Sequence, residues 1–292
     1  MSPLLVTGAS GFLGQVICHE AQKTHQTHGL YFQNQVREEN TFFHRCDLKN
    51  ENAVQKIITE IKPKAIIHTA AVSDANYCQQ NISSTKKINV DASLYLAKFA
   101  AGLNIPFVFT SSDLVFDGKN GNYNENDHPN PVSIYGEQKE LAEEKIIEMN
   151  PQALICRLPL MIGKGRNSQR GYLNNFLFQI KNGQTQKLFS DEYRSVADVI
   201  SIAKAILQFS EKQRGILHLG GKQKLSRFEL GEIMVRTLQL NDAKITSVKQ
   251  QEVKMAAPRP ADVSLDSSKA YNLGYRPAFV VDALNDILKQ IN

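Results

Sequence analysis

The sequence predicts an α/β protein: a doubly wound parallel sheet with a smaller C-terminal lobe. Three observations predict it. Short continuous apolar runs such as Leu4-Leu5-Val6 and Ala65-Ile66-Ile67-His68 alternate with amphipathic stretches, as expected of strands buried on both faces beneath helices. A glycine-punctuated turn leads from the first run into a helix-like stretch, Phe12 to Gln22. Over 160–195 and 222–292 the strand–helix rhythm lapses, which places a second lobe at the carboxyl edge of the sheet.

The elements follow in order. After Leu4-Leu5-Val6, strands are expected at Gly29 to Phe32 and at Phe42-Phe43, the latter closing on Cys46-Asp47-Leu48. Val54, Ile57, Ile58 and Ile61 recur at helical spacing over Asn52 to Ile61, and Lys62-Pro63 stops that helix. Ala65 to His68 is the next strand. Leu94, Ala97, Lys98 and Ala101 fall on a long helix ending at Gly102, before a strand over Ile105 to Thr110. Further strands are expected at Ala153 to Cys156 and Ile216 to Leu219. The predicted division is a cofactor-binding domain over 1–159 plus 196–221 and a substrate lobe over 160–195 plus 222–292.

Composition narrows the class. The 292 residues are 42 % apolar and 22 % charged, ordinary for a globular protein with a large core. A net charge of +5 without a basic run argues against nucleic acid and suits small anionic ligands. Cys18, Cys46, Cys78 and Cys156 show no metal-binding spacing and read as buried reduced thiols. With no leader-like N-terminus and no apolar stretch long enough to span a bilayer, a cytoplasmic protein is expected.

The turn Thr7-Gly8-Ala9-Ser10-Gly11-Phe12-Leu13-Gly14 sets glycines three apart between a strand and a helix. Gly8 allows the sharp turn, Gly11 the approach of a pyrophosphate, and Gly14 close packing of helix on sheet; N–H groups at the helix start face the anion. This is the dinucleotide-binding context of a Rossmann sheet. Where NAD-binding chains carry an acidic residue, Gln33 and Asn34 stand here, followed by Arg37. NADP is therefore expected, with NAD also accommodated. Glu38 and Glu39 lie close behind, and Arg37 reads equally as a solvated loop residue.

Tyr135 and Lys139, four positions apart, share a helix face, and Ser111-Ser112 end a strand at the sheet's carboxyl edge. Such Tyr/Lys pairs are common on helices; the glycine turn and the serines set this one apart. A neighbouring ammonium and a cationic nicotinamide would lower the phenol, making Tyr135 a proton donor and acceptor near neutrality. Ser112 can hydrogen-bond a substrate carbonyl, and Lys139 can anchor the nicotinamide ribose.

On these residues the chain resembles the extended short-chain dehydrogenases, and within them the dTDP-4-dehydrorhamnose reductase family. The resemblance runs through Ser111-Ser112-Asp113-Leu114-Val115-Phe116-Asp117-Gly118, Tyr123, Glu125, Asp127, Pro131 and Tyr135-Gly136…Lys139. It continues through His68-Thr69-Ala70-Ala71, Lys87-Ile88-Asn89-Val90, Arg259 to Asp266 and Leu273-Gly274-Tyr275. It implies reduction of the C4 carbonyl of a nucleotide-linked 4-keto-6-deoxy-sugar, with hydride from NADPH and a proton from Tyr135. Ser112, Tyr135 and Lys139 would be catalytic. The cofactor would lie along Gly8, Ser10, Gly11, Phe12, Leu13 and Gly14, then Arg37, Asp47, Leu48, Ala70 and Ala71, and finally Tyr135 and Lys139. The Asn of the Lys87–Val90 segment is usually structural or part of a proton relay in that family.

Three segments depart from the pattern. His68 stands where Asn is commoner, Tyr193 to Asp198 is a few residues short, and Leu160 to Arg166 lacks the usual aromatics. A sugar-nucleotide epimerase is the second enzyme reading; a dehydratase would need a Glu beside Asp113, where Leu114 stands. The regulatory beta subunit of methionine adenosyltransferase resembles the same family, so a non-catalytic NADP-binding subunit is the reading of another class. Oligomeric state is left open, with a homodimer among the options. No metal is expected: His19, His25 and His28 read as a polar connection, and Asp117 to Asn122 as a tight turn. Lys164, Arg166, Arg170 and Arg194 are candidates for a substrate diphosphate, or solvated surface charge.

Overall fold

The computed structural model describes residues 1–34, 36, 38–164 and 171–289. The first six strands in chain order are β1 (Pro3–Thr7), β2 (Gln26–Tyr31), β3 (Thr41–Arg45), β4 (Ala65–His68), β5 (Phe107–Ser112) and β6 (Leu154–Leu158). They are followed by β7 (Met161–Ile162), β8 (Gln186–Phe189), β9 (Tyr193–Asp198), β10 (Gly215–His218), β11 (Gln223–Ser226) and β12 (Ile245–Val248). The large sheet has seven strands in the order β10-β6-β5-β4-β1-β2-β3, paired in parallel throughout. The chain winds outward from β1 to β3, then crosses back to β4 on the other side of β1. That reversal leaves a crevice at the carboxyl ends of β1 and β4, where ligands of such sheets bind. Thr7 and His68 pair at that point.

Strands β4, β5 and β6 are buried at every residue, because helices cover both faces of the sheet. On one face Val6, Ile67, Val108 and Cys156 pack with helices Phe12–Ala21 and Val199–Phe209. On the other, Leu5, Ile66, Phe107 and Ile155 meet helices Glu51–Ile61, Ala92–Gly102 and Ile134–Met149. Each fully buried side chain of this kind contributes about 1.5–3 kcal/mol of transfer free energy.

Several element ends differ from the expected ones. β2 begins at Gln26, three residues before the apolar run, because the polar stretch Gln26–His28 pairs with Pro3–Leu5. β5 begins at Phe107, two residues later than expected, and ends as expected on Ser111 and Ser112, which pair with Arg157 and Leu158. β6 runs on to Leu158, two residues past the expected end, and β10 begins at Gly215 and stops at His218. The long helix before Gly102 is interrupted by a π-helical turn at Lys87–Asp91. Its Asn89 is structural: Oδ1 accepts from Val72 N at 2.8 Å, and Nδ2 donates to Val72 O at 3.0 Å and to Gln138 Oε1 at 2.8 Å.

The second lobe is built on two small sheets, β11-β9-β7 and β12-β8. Ile162, Phe176, Leu188, Val196, Leu230, Met234 and Leu284 form its core. Ala270 and Tyr275, late in the chain, return to the core of the large sheet. No helix among the described residues is long and apolar enough to cross a membrane.

Candidate active site

The glycine turn sits at the sheet's reversal. Gly8 has φ +67°, and a Cβ there would lie 2.6 Å from Ala70 N, so the turn packs directly on the loop after β4. A Cβ on Gly14 would fall 2.2 Å from Gly8 O. Both glycines therefore serve chain packing first. Gly11 N–H closes the turn on Gly8 O at 2.8 Å and is not aimed outward. The helix that follows has Gly11 as its N-cap with no side-chain cap, so its first-turn N–H groups carry the positive end of the helix dipole toward the crevice.

Two adjoining cavities share Gly11, Thr69 and Ala71. The smaller, about 290 Å³, is lined by Gly8, Ser10, Gln33, Asn34, Asp47, Leu48 and Ala70 among others. The larger, about 400 Å³, runs from Phe12, Leu13 and Gly14 past Ser112, Tyr135 and Lys139 to Tyr172, Glu192, Arg194, Arg227 and Arg259. The expected site residues thus gather along one continuous crevice, apart from Arg37, which lies outside the described residues.

Local packing brings the trio together. Ser133 caps helix Ile134–Met149 by accepting from Gly136 N. Gly136 abuts the turn after β5 so closely that a Cβ would lie 2.2 Å from Leu114 O. This sets Tyr135 and Ser112 along the same wall of the larger cavity. Ser112 Oγ accepts from Leu114 N at 3.2 Å and donates to Asp113 Oδ1 at 3.1 Å. One turn on, Lys139 Nζ lies 3.9 Å over the Phe109 ring.

The electrostatics differ from the expectation. Tyr135 is pushed above the ordinary phenol value by burial, then by Asp113 and Cys78, with Ser112 pulling the other way. Lys139 does not lower it, because burial pushes the lysine itself down to about 7 against the pull of Glu143. His68 is fully buried between Thr7 Oγ1 at 2.6 Å and Ser93 Oγ at 2.9 Å. Burial and Lys139 hold it neutral, at about 3.

The far end of the larger cavity is an ion network. Glu192 Oε1 receives Arg194 Nη2 at 3.0 Å and Arg227 Nε at 2.8 Å, and Arg194 Nε lies 3.4 Å from Asp113 Oδ2. Burial opposes ionisation of Glu192, but Arg227 and Arg194 outweigh it and hold its carboxyl low. Asp113 is raised by burial, with Arg194 and Ser112 opposing. Arg194, expected as a diphosphate ligand or solvated charge, is neither solvated nor free: it is 3 % exposed and ion-paired. Lys164 is exposed, and Arg166 and Arg170 lie outside the described residues. Tyr172, Glu192, Arg227 and Arg259 were not singled out as site residues. Arg259 opens the Arg259–Asp266 segment that carries the family resemblance, and the Ser226…Glu229 capping box marks the helix that begins at Arg227.

Two of the sequence motifs prove to be one structural unit. Tyr123 stacks on Phe116 and donates to Asp117 at 2.6 Å, closing the Asp117–Asn122 turn. The segment Arg259–Asp266 clamps that turn, with Asp262 N donating to Gly118 O and Asp266 N to Tyr123 O. Among the described residues no group of three or more His, Cys, Asp or Glu is placed to hold a metal.

The family model described as "RmlD substrate binding domain" matches residues 1–292. The chain belongs to the RmlD substrate-binding domain family. Among its relatives, the methionine adenosyltransferase 2 subunit beta of Danio rerio is 29 % identical over 279 residues, covering 93 % of this chain and 84 % of that one. A probable low-salt glycan biosynthesis reductase of Haloferax volcanii is 29 % identical over 271 residues, covering 90 % and 89 %. The solved structure of a hypothetical dTDP-4-dehydrorhamnose reductase from Sulfolobus tokodaii superposes with a TM-score of 0.83 at 29 % identity, covering 95 % and 98 %. These relatives include both reductases and a subunit named for another enzyme.

Proposed function

We propose that this RmlD-family chain is a cytoplasmic reductase of nucleotide-linked 4-keto-6-deoxy-sugars that uses NADPH, with NADH as an alternative. One observation carries the reading: Ser112, Tyr135 and Lys139 line the cavity that begins at the glycine turn and ends among three arginines. The crevice suits a dinucleotide, since the smaller cavity meets the larger at the uncapped helix start. Gly8, Ser10, Gly11, Phe12, Leu13 and Gly14 would hold the diphosphate. Arg37, Asp47 and Leu48 would hold the adenosine end, and Ala70, Ala71, Tyr135 and Lys139 the nicotinamide end. When bound, the reduced cofactor supplies a hydride. Residues 1–159 plus 196–221 would serve the cofactor, and 160–195 plus 222–292 the sugar nucleotide.

Tyr135 then gives its proton to the carbonyl oxygen as the alcohol forms. Its raised phenol suits that direction, because the proton is present at neutral pH. Ser112 turns its hydroxyl from Asp113 to the same oxygen and aligns it. Lys139, buried beneath, becomes the counter-charge for the tyrosinate left behind. The test is NADPH oxidation with dTDP-4-keto-6-deoxy-sugars. Tyr135→Phe should bind cofactor normally and turn over about 10²–10⁴-fold more slowly. Equal activity of Tyr135→Phe and wild type would refute the mechanism. The similarity to methionine adenosyltransferase beta subunits favours a second reading, a non-catalytic regulatory subunit. Cofactor binding without turnover of any keto-sugar would put that reading first.

A further inference from the structure

A buried ammonium needs something in place of water, and for Lys139 that is an aromatic face. Its Nζ lies 3.9 Å over the centroid of Phe109, whose ring is fully buried on β5. A carboxylate would be the ordinary partner, and Glu143 stands one turn further along the same helix, at the spacing of a helical ion pair. It is already committed. Buried Arg157, on β6, donates from Nε to both its oxygens at 3.1 Å and from Nη2 at 2.7 Å. His68 flanks the same ring from β4: it pairs with Phe109 across the sheet, with centroids 5.8 Å apart and the rings 26° from parallel. Thr7 and Ser93 occupy both its nitrogens and it is held neutral, so it brings no second charge to the ring. Tyr135, one turn back on the helix, keeps its proton at neutral pH and adds none either.

We infer that Phe109 is a positioning residue: its π face holds the Lys139 ammonium charged and in place at the wall of the larger cavity. The negative face of an aromatic ring attracts a cation, most strongly where water is excluded. An aliphatic side chain would fill the space without that attraction, and the amine would shed its proton more readily. The purpose of the contact rests on the reductase reading, in which Lys139 must be charged to balance the tyrosinate. The contact itself does not.

The Lys139 proton can be followed directly in the cofactor-free protein, by NMR of isotope-labelled lysine ε-carbons, with Lys139→Met identifying the resonance. Phe109→Leu should lower the proton affinity of Lys139 by about 3- to 30-fold, the range of a cation–π contact shielded from water. Replacing Phe109 by difluoro- and trifluorophenylalanine keeps the ring's shape while draining charge from its face, and it decides the matter even if Phe109→Leu does not fold. The titration midpoint should fall stepwise with fluorine number. In the keto-sugar assay the loss of rate at high pH should begin at correspondingly lower pH. A midpoint that ignores the fluorines, or that folded Phe109→Leu leaves in place, overturns the inference and makes Phe109 a packing residue only. A pH–rate profile that stays put while the midpoint moves overturns the positioning role. Absence of turnover by wild type defeats the reductase reading alone, because the NMR midpoint still decides whether the ring holds the charge.

Discussion

Lys139→Met should stabilise the cofactor-free protein while impairing function, and by an amount that depends on pH. The side chain is 1 % exposed, and burial moves its amine from 10.5 to about 7. An unfolded chain therefore binds the lysine proton more tightly than the folded one between about pH 7 and 10.5, and stability contributed by this site rises with pH across that window. At pH 7 the cost to the folded state is about 4 kcal/mol, and by pH 9.5 it falls to about 1 kcal/mol. Methionine fills a similar volume without a charge, so any packing difference is constant with pH. Urea denaturation of both proteins at pH 7 and 9.5, without cofactor, checks it. Lys139→Met should lead by about 3 kcal/mol more at pH 7 than at pH 9.5. A gap that does not change with pH would show that Lys139 is not held in a desolvated site. The same variant should lose cofactor affinity and rate, since the amine is then missing from the nicotinamide end.

Three further outcomes are expected. Gly8→Ala forces a Cβ against Ala70 N at 2.6 Å in a left-handed backbone, so it should destabilise by about 1–3 kcal/mol and weaken NADPH binding, seen by fluorescence titration. Glu192→Gln leaves buried Arg194 and partly exposed Arg227 undercompensated and should cost about 3–5 kcal/mol; an unchanged melting curve would show that the network does not stabilise the fold. Wild type should bind NADPH more tightly than NADH, with Arg37→Ala narrowing the gap by roughly 1–2 kcal/mol; a tenfold NADH preference would reverse the reading of Gln33, Asn34 and Arg37.

What the sequence determined was local. The apolar runs predicted β1, β4, β5 and β6, because a strand covered on both faces is apolar along most of its length. The glycine turn was legible because its spacing is a property of one short loop. Tyr135 and Lys139 were legible because a helix puts residues four apart on one side. The π turn at Lys87–Asp91 was not, since Asn89 bonds partners 17 and 49 residues away.

The tertiary structure decided charge and reach. Lys139 and Tyr135 depart from their ordinary values because the fold removes them from water, which no spacing reveals. Arg194 changes from surface charge to buried partner because Glu192 and Arg227, 35 residues apart, meet around it. The Asp117–Asn122 turn also bonds the distant segment Arg259–Asp266, through Asp262 N to Gly118 O and Asp266 N to Tyr123 O, a contact no local spacing reveals. A residue type at a position fixes what it can bond. Desolvation and pairing depend on which distant segments pack against it, and that is settled only when the chain has closed on itself.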